Sequence, residues 1–508
     1  MAPQARWRRT LAHGLAALTL LSSLAALGAC SGRPGGPDSP TSKTLTVGAT
    51  AEPDTLDPTT SDNAAIPQLL LYNVYETLVK LDSEGRVRPL LATAYELSED
   101  ELTYTFRIDA KAHFASGAAV DAEAVVASLE RMRQAPSATI QAQMAVIERA
   151  WAEDSHTVKV ELRHPSNKWL YDMTSTAGIV IDPATTDLAN RPAGSGPFEF
   201  SYWNRGDRIV LSRVGDYWGT PGRFDQVTFR YFAEPNAMNT AMLSGEIDII
   251  SDLTSPSTID MFADDARFQV LEGTTNGEVV LGFNHDRAPL QDLRVRQAIN
   301  YAIDRQAIVD TVWGGKGQLI GSMVPPTDPY YEDLSQTYPY DPEQARRLLD
   351  EAGWSAGTSL SLRVPTLPYA TGAAQVIASQ LAQVGLQVQV EELDFTGRWL
   401  PEVYLGGDYD MTIVMHIEPR DSGKFADPAY YWHYDNLAFQ ELVDRADLAT
   451  PSEQIDLMRQ AARLLADDAA ADWLFLFPKL TVVAQGITGV PANATTLSFD
   501  LTTVAARS

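Results

Sequence analysis

From Thr44 to the C-terminus the chain alternates between two hydrophobic rhythms. Short stretches carry alternating or β-branched apolar residues: Leu45 to Val47, Thr103 to Ile108, Val158 to Leu162, Ile209 to Arg213 and Val227 to Tyr231. These predict strands. Longer stretches space apolar residues three and four apart, which predicts helices with one buried face. Asp341 is placed to cap a helix that opens on Pro342, with Gln344 at the capping-box position and Gly353 as the stop. Asp292 is placed to cap a helix burying Val295, Ala298, Ile299, Ala302 and Ile303, in a region closed by Gly314-Gly315. Asp121 heads a third, burying Val125, Val126 and Leu129. Phe439, Leu442, Val443 and Ala446 make another face, and Ile455, Met458, Ala462 and Leu465 a further one behind Pro451-Ser452. Ser359 to Val364, Val376 to Val384 and Leu386 to Val390 read as strand, helix and strand, an order that favours parallel pairing through a right-handed crossover. The expected class is α/β with mixed sheets, and no internal repeat is visible.

The N-terminus differs in kind. Arg6, Arg8 and Arg9 precede an apolar run from Leu11 to Ala26, then Leu27-Gly28-Ala29-Cys30. A basic start, an apolar middle and small residues before a cut describe a secretory signal. His13, Thr19, Ser22 and Ser23 interrupt the run, which argues against a spanning helix of ~20 apolar residues. Cys30 is the only cysteine of the 508 residues. Its place after the cut resembles the lipobox of bacterial lipoproteins. That implies removal of residues 1–29, diacylglycerol on Cys30 and tethering to the outer face of the cytoplasmic membrane. Arg8-Arg9-Thr10-Leu11 resembles a twin-arginine export signal only weakly, so the route stays open. Residues 30–43 are polar and rich in Gly, Pro and Ser, and read as a flexible tether.

Net charge is −27 over the whole chain, and loss of the signal arginines makes it more negative still. Such a surface repels phosphate, so nucleic acid is excluded as a partner, and anchoring falls to the lipid. One cysteine permits no internal disulfide, so core burial must hold the fold. The length calls for two or three structural units.

Four ordered blocks carry a resemblance. Tyr95 to Arg107, Phe114-Ala-Ser-Gly117 and Ala122-Glu-Ala-Val-Val126 form the first. Gly194-Ser-Gly-Pro-Phe198, Arg208-Ile-Val-Leu211 and Asp216-Tyr-Trp218 form the second. Phe283-Asn284, Pro289-Leu290 and Leu293 to Arg305 form the third, and Tyr340 to Ala345 through Ala352-Gly353-Trp354 the fourth. Together they resemble the large solute-binding proteins of ABC importers in the peptide and nickel cluster, over nearly all of residues 44–490. The resemblance implies a two-lobed clamp. Lobe one would comprise 44–80, 195–282 and 478–508, with an extra domain at 81–194. Lobe two would be 283–477. Hinges would lie at Phe283-Asn284 and Phe477-Pro478, and closure would bury the solute. A permease and ATPase complex would be the partner, with the clamp a monomer lacking any cofactor of its own.

Peptide-binding relatives hold the ligand amine on an aspartate three residues after a tryptophan, shortly before an Asp-Pro pair. This chain keeps Asp427-Pro428 but lacks that tryptophan, and reads Met415-His-Ile-Glu-Pro-Arg-Asp421 instead. Glu418 or Asp421 could hold an ammonium, and Arg420 a carboxylate. Alternatively Arg420 and Asp421 simply pair with each other. Tyr431 and Trp432 offer aromatic walls or ordinary core, and Tyr75-Glu76 are further candidates with the same ambiguity. His416 invites a metal, but no second histidine stands at helical spacing, so no metal site is expected. A peptide is the leading solute. A chelate, an oligosaccharide or another metabolite is the alternative, as is a ligand sensor that feeds no pump. A secreted hydrolase is the remaining class. Its one Gly-x-Ser-x-Gly string, Gly353 to Gly357, follows a helix and precedes a strand, the reverse of a nucleophile elbow, so no catalytic residue is assigned.

Overall fold

The computed structural model describes residues 43–254, 258–355 and 357–507. The signal, Cys30 and nearly all of the tether lie outside them.

In the first lobe a seven-stranded sheet runs in the order Phe198–Asn204, Arg208–Arg213, Gln226–Tyr231, Thr44–Ala49, Ile249–Ile250, Lys479–Ala484 and Phe268–Gly273. Thr44–Ala49 is parallel to both of its neighbours, whereas Lys479–Ala484 is antiparallel to both of its own. A four-stranded antiparallel sheet, ordered Ala92–Leu97, Thr103–Ile108, Thr157–Leu162 and Ile147–Asp154, forms the inserted piece. Its Phe106, Val160 and Trp169 belong to the same continuous core as Leu45, Val47 and Phe229 of the first lobe. The insertion is therefore welded to that lobe by packing.

The second lobe holds a five-stranded sheet in the order Gln387–Leu393, Ser359–Pro365, Met411–His416, Glu278–Phe283 and Ala471–Leu476. Ser359–Pro365 and Gln387–Leu393 are parallel, with Leu362 opposite Val390. Helix Pro368–Gln383 joins them, so the expected unit forms, with a helix that starts earlier than its apolar spacing suggested. Every residue of Glu278–Phe283 and of Ala471–Leu476 is buried, as expected for strands covered on both faces.

The caps follow the sequence. Asp121, Asp292 and Asp341 each accept backbone N–H bonds at their helix starts. The box at Asp341 is half made. The Gln344 N–H donates to it at 2.8 Å, but the Gln344 side chain accepts from Arg347 rather than reaching back. Thr450 and Glu453 complete a full box at helix Pro451–Asp467.

The chain passes between the two sheets twice, at 274–277 and at 477–478. The first passage corrects the expected hinge at Phe283-Asn284. Phe283 is fully buried opposite Met411, and the Asn284 amide donates to the carbonyls of Gly407 and Tyr409, which locks both residues inside the second lobe. Strand Glu278–Phe283, expected in lobe one up to residue 282, accordingly pairs within the second sheet. The two passages are bonded to each other: Thr275 Oγ1 donates to the Phe477 carbonyl at 2.7 Å, and the Phe477 N–H to Gly277 at 2.7 Å. Among the described residues no helix is long and apolar enough to cross a membrane.

Candidate ligand-binding site

Strand Met411–His416 ends at His416, and Glu278, first residue of its neighbour, lies directly opposite. Past His416 the chain turns. Arg420 takes a left-handed backbone, φ 59°, and launches the short 3-10 helix Asp421–Ala426. That conformation is uncommon for a residue with a side chain. It lets Arg420 and Asp421 diverge. Arg420 Nε donates to Asp328 Oδ1 at 3.3 Å, while Asp421 faces the His416 ring, with Nδ1 3.4 Å from Oδ2. They do not pair with each other.

The His416 ring is fixed on its far side, where Nε2 lies 3.0 Å from the Tyr431 hydroxyl. With Nε2 accepting from Tyr431, the ring proton sits on Nδ1, which faces Asp421 without closing a hydrogen bond to it. Tyr431 is held in turn by the Tyr409 hydroxyl, which donates to its carbonyl at 2.6 Å. Trp432 stacks on Phe425 with centroids 4.0 Å apart. Both Tyr431 and Trp432 belong to a buried cluster of the second lobe, so they work from the core side of the site. Gly282 is required here, since a Cβ would approach Trp432 Nε1 to 2.6 Å.

The first lobe closes the other side through helix Asn167–Asp172. Tyr171 places its ring 3.8 Å beneath the Arg420 guanidinium, a cation–π contact across the two lobes. One turn earlier, Ser166 Oγ and the Lys168 N–H both donate to Asp447 Oδ1, at 3.1 and 3.2 Å. Asn167 answers by donating its amide to the carbonyls of Ala446 and Ala449, where helix Leu437–Leu448 ends. Each helix thus caps the other.

Three carboxylates converge behind this contact. Glu278 is 1% exposed, and its Oε2 accepts no hydrogen bond among the described residues. Burial, then the neighbouring Asp421 carboxylate, hold its pKa well above the ordinary carboxylate range. Asp421, 5% exposed, is pushed up by burial and drawn back by His416; its Oδ2 also accepts no hydrogen bond. Asp328 is pushed up by burial and drawn back by Arg420. Glu418 points outward and pairs with Lys424. Among the described residues no group of three or more His, Cys, Asp or Glu side chains could hold a metal ion.

Tyr75 and Glu76 are placed elsewhere. Glu76 lies in the first-lobe core, where Ser195 Oγ, the Tyr217 hydroxyl and Trp218 Nε1 all donate to it, at 2.8, 2.6 and 3.1 Å. Burial pushes it up to about 7 against these donors. The second sequence block thereby acquires a physical reason. Gly196 lies against the Asn73 carbonyl, 2.4 Å from where a Cβ would be, and the flanking residues cradle one buried acid. Glu278, Asp328 and Tyr171 escaped the sequence reading. Only Glu278 left a trace, as a carboxylate heading the apolar run Val279 to Phe283.

The profile of the bacterial extracellular solute-binding proteins, family 5, matches residues 86–436. The glutathione-binding protein GsiB of Salmonella paratyphi A is 29% identical over 349 residues, 67% of each chain. The ABC transporter substrate-binding protein CtaP of Listeria monocytogenes superposes with a TM-score of 0.82 at 22% identity, over 92% of this chain and all of that one. The periplasmic binding protein DppA of Helicobacter pylori, solved with the peptide STSA, superposes at 0.73 with 22% identity, over 92% of this chain and 98% of that one. These structures share the two-lobed fold with its mixed sheets. By its sequence profile and its architecture the chain belongs to the extracellular solute-binding proteins of family 5.

Proposed function

We propose that this chain is the lipid-anchored capture subunit of an ABC importer, and that it closes on a short peptide whose ammonium is held by Asp421. A single observation carries the reading. A carboxylate buried in the second lobe beside the cross-lobe Arg420–Tyr171 contact, in the segment before Asp427-Pro428, keeps an oxygen that accepts no hydrogen bond among the described residues. Burying an ionised group without a partner costs several kcal/mol, so the site is built for a cation that arrives with the solute. Arg420 and Tyr171 close over it, and the lobes pivot on 274–277 and 477–478. One chain makes the whole clamp, so it works as a monomer and passes its cargo to the permease and ATPase. GsiB and DppA, whose names or structures carry peptide ligands, favour this solute class.

Mass spectrometry of the solute released from native protein should find short peptides; a sugar or a metal chelate overturns the reading. Asp421→Asn should weaken calorimetric binding by at least about tenfold. Lipid anchoring rests on the sole thiol, so Cys30→Ser should leave the protein unlabelled by radioactive palmitate and free of the membrane. Persistent labelling would remove the anchor.

A further inference from the structure

One ammonium leaves the site out of balance. Around the closed contact Arg420 answers Asp328, Lys424 answers Glu418, and Lys168 answers Asp172. Among the described residues Asp421 faces only the His416 ring, and Glu278 has no ion-pair partner. Glu278 is the more deeply enclosed. It is nine-tenths buried and beyond, it stands across the strand pair from His416, and its Oε2 is unpartnered. Orphaned buried polar atoms are rare in native folds and ask for a reason. Solvent does not supply one at 1% exposure.

Resting on the peptide reading above, we infer that the preferred solute carries a second positive charge, and that Glu278 receives it while Asp421 holds the amino terminus. The class is a short peptide with a lysine, ornithine or arginine side chain. Glu278 begins the strand that follows the 274–277 passage, so the second charge is held beside the pivot. Binding there ties the solute's side chain to the inner end of the cleft and its amino terminus to the 3-10 helix.

The test is calorimetry on the ligand-stripped protein with peptides of two to five residues. Lysine at each position is compared with norleucine, which keeps the length and removes the charge. One lysine peptide should bind at least about tenfold tighter than its norleucine twin. Glu278→Gln should abolish that preference. Titration in phosphate and in Tris adds a readout that needs no variant. The lysine peptide should release more protons than the norleucine one, because a carboxylate held protonated in the empty site ionises against the incoming charge. Equal affinities for the twins, or a preference that survives Glu278→Gln, overturn the inference and leave the peptide reading standing. If no peptide of the panel binds, the peptide reading itself falls, and this inference with it.

Discussion

Glu76 and Asp472 show how differently two buried acids can be kept. Glu76 accepts from three side chains and still stands at about 7, because burial outweighs the donors. Asp472, fully enclosed, has Arg305 at 3.8 Å and an Oδ2 with no hydrogen-bond partner among the described residues, and stands at about 6. For an acid raised in the folded state, the native form keeps its proton while the unfolded chain loses it. Stability therefore drains away as pH rises from about 4.5 to 7. His285, depressed to about 4 by burial, gives the opposite slope below about 6.5. Comparison with Glu76→Gln separates the two. The stability of the parent relative to that variant should fall by about 3 kcal/mol between pH 4.5 and 7.5, and be flat above. Denaturant titrations at several pH values measure it, and a gap independent of pH would mean that Glu76 is ionised throughout.

At the scale of elements, helix Leu293–Ala302 and the turn to Arg305 explain why the third block reads as it does. Arg296 donates to the carbonyls of Leu290, Gln291, Asp468 and Ala469, Asn300 to that of Ala471, and Arg305 to those of Ile320 and Trp473. Three side chains thus seat the segment that leads into strand Ala471–Leu476. Arg305→Met should cost about 3–5 kcal/mol, because it strands Asp472 in the interior. Adding Asp472→Asn should recover part of that loss, and thermal melts of the single and double variants decide it. The apolar stripes and the Asp caps that define these elements were legible in the sequence, since periodicity and capping are local. Asp421, Arg420 and His416 were legible as a segment, because they end a readable strand. Their partners were not. Asp328 comes from a loop 92 residues away from Arg420, and Tyr171 from another lobe, so nothing local marks them. The hinge was misplaced for a related reason. Phe283-Asn284 is the conspicuous part of its block, yet the turn between sheets is the plain run Thr274-Thr-Asn-Gly277.

For the whole molecule, closure is set by the reciprocal capping of helices Asn167–Asp172 and Leu437–Leu448 together with the Arg420–Tyr171 contact. Every member is polar or aromatic, so water can replace the bonds when the lobes part. Asn167→Ala removes bonds that exist only between the lobes. It should weaken solute affinity about threefold to tenfold through the closed population, without lowering the melting temperature of the empty protein. Solution scattering should show the radius of gyration shrinking when solute is added. Profiles that coincide with and without solute would contradict a moving clamp.

The strand Lys479–Ala484 has a consequence for how the protein is made. It lies between Ile249–Ile250 and Phe268–Gly273, and beyond it Phe499 and Leu501 bond to Asn73 near the start of the fold. The first lobe is the earliest to leave the ribosome and the last to be finished. Until residue 484 emerges, two sheet edges stand open, and open edges invite wrong pairing. A message broken between strands Ala471–Leu476 and Lys479–Ala484 yields a complete second lobe on an unfinished first one, so quality control during secretion has a ready mark by which to tell whole molecules from fragments.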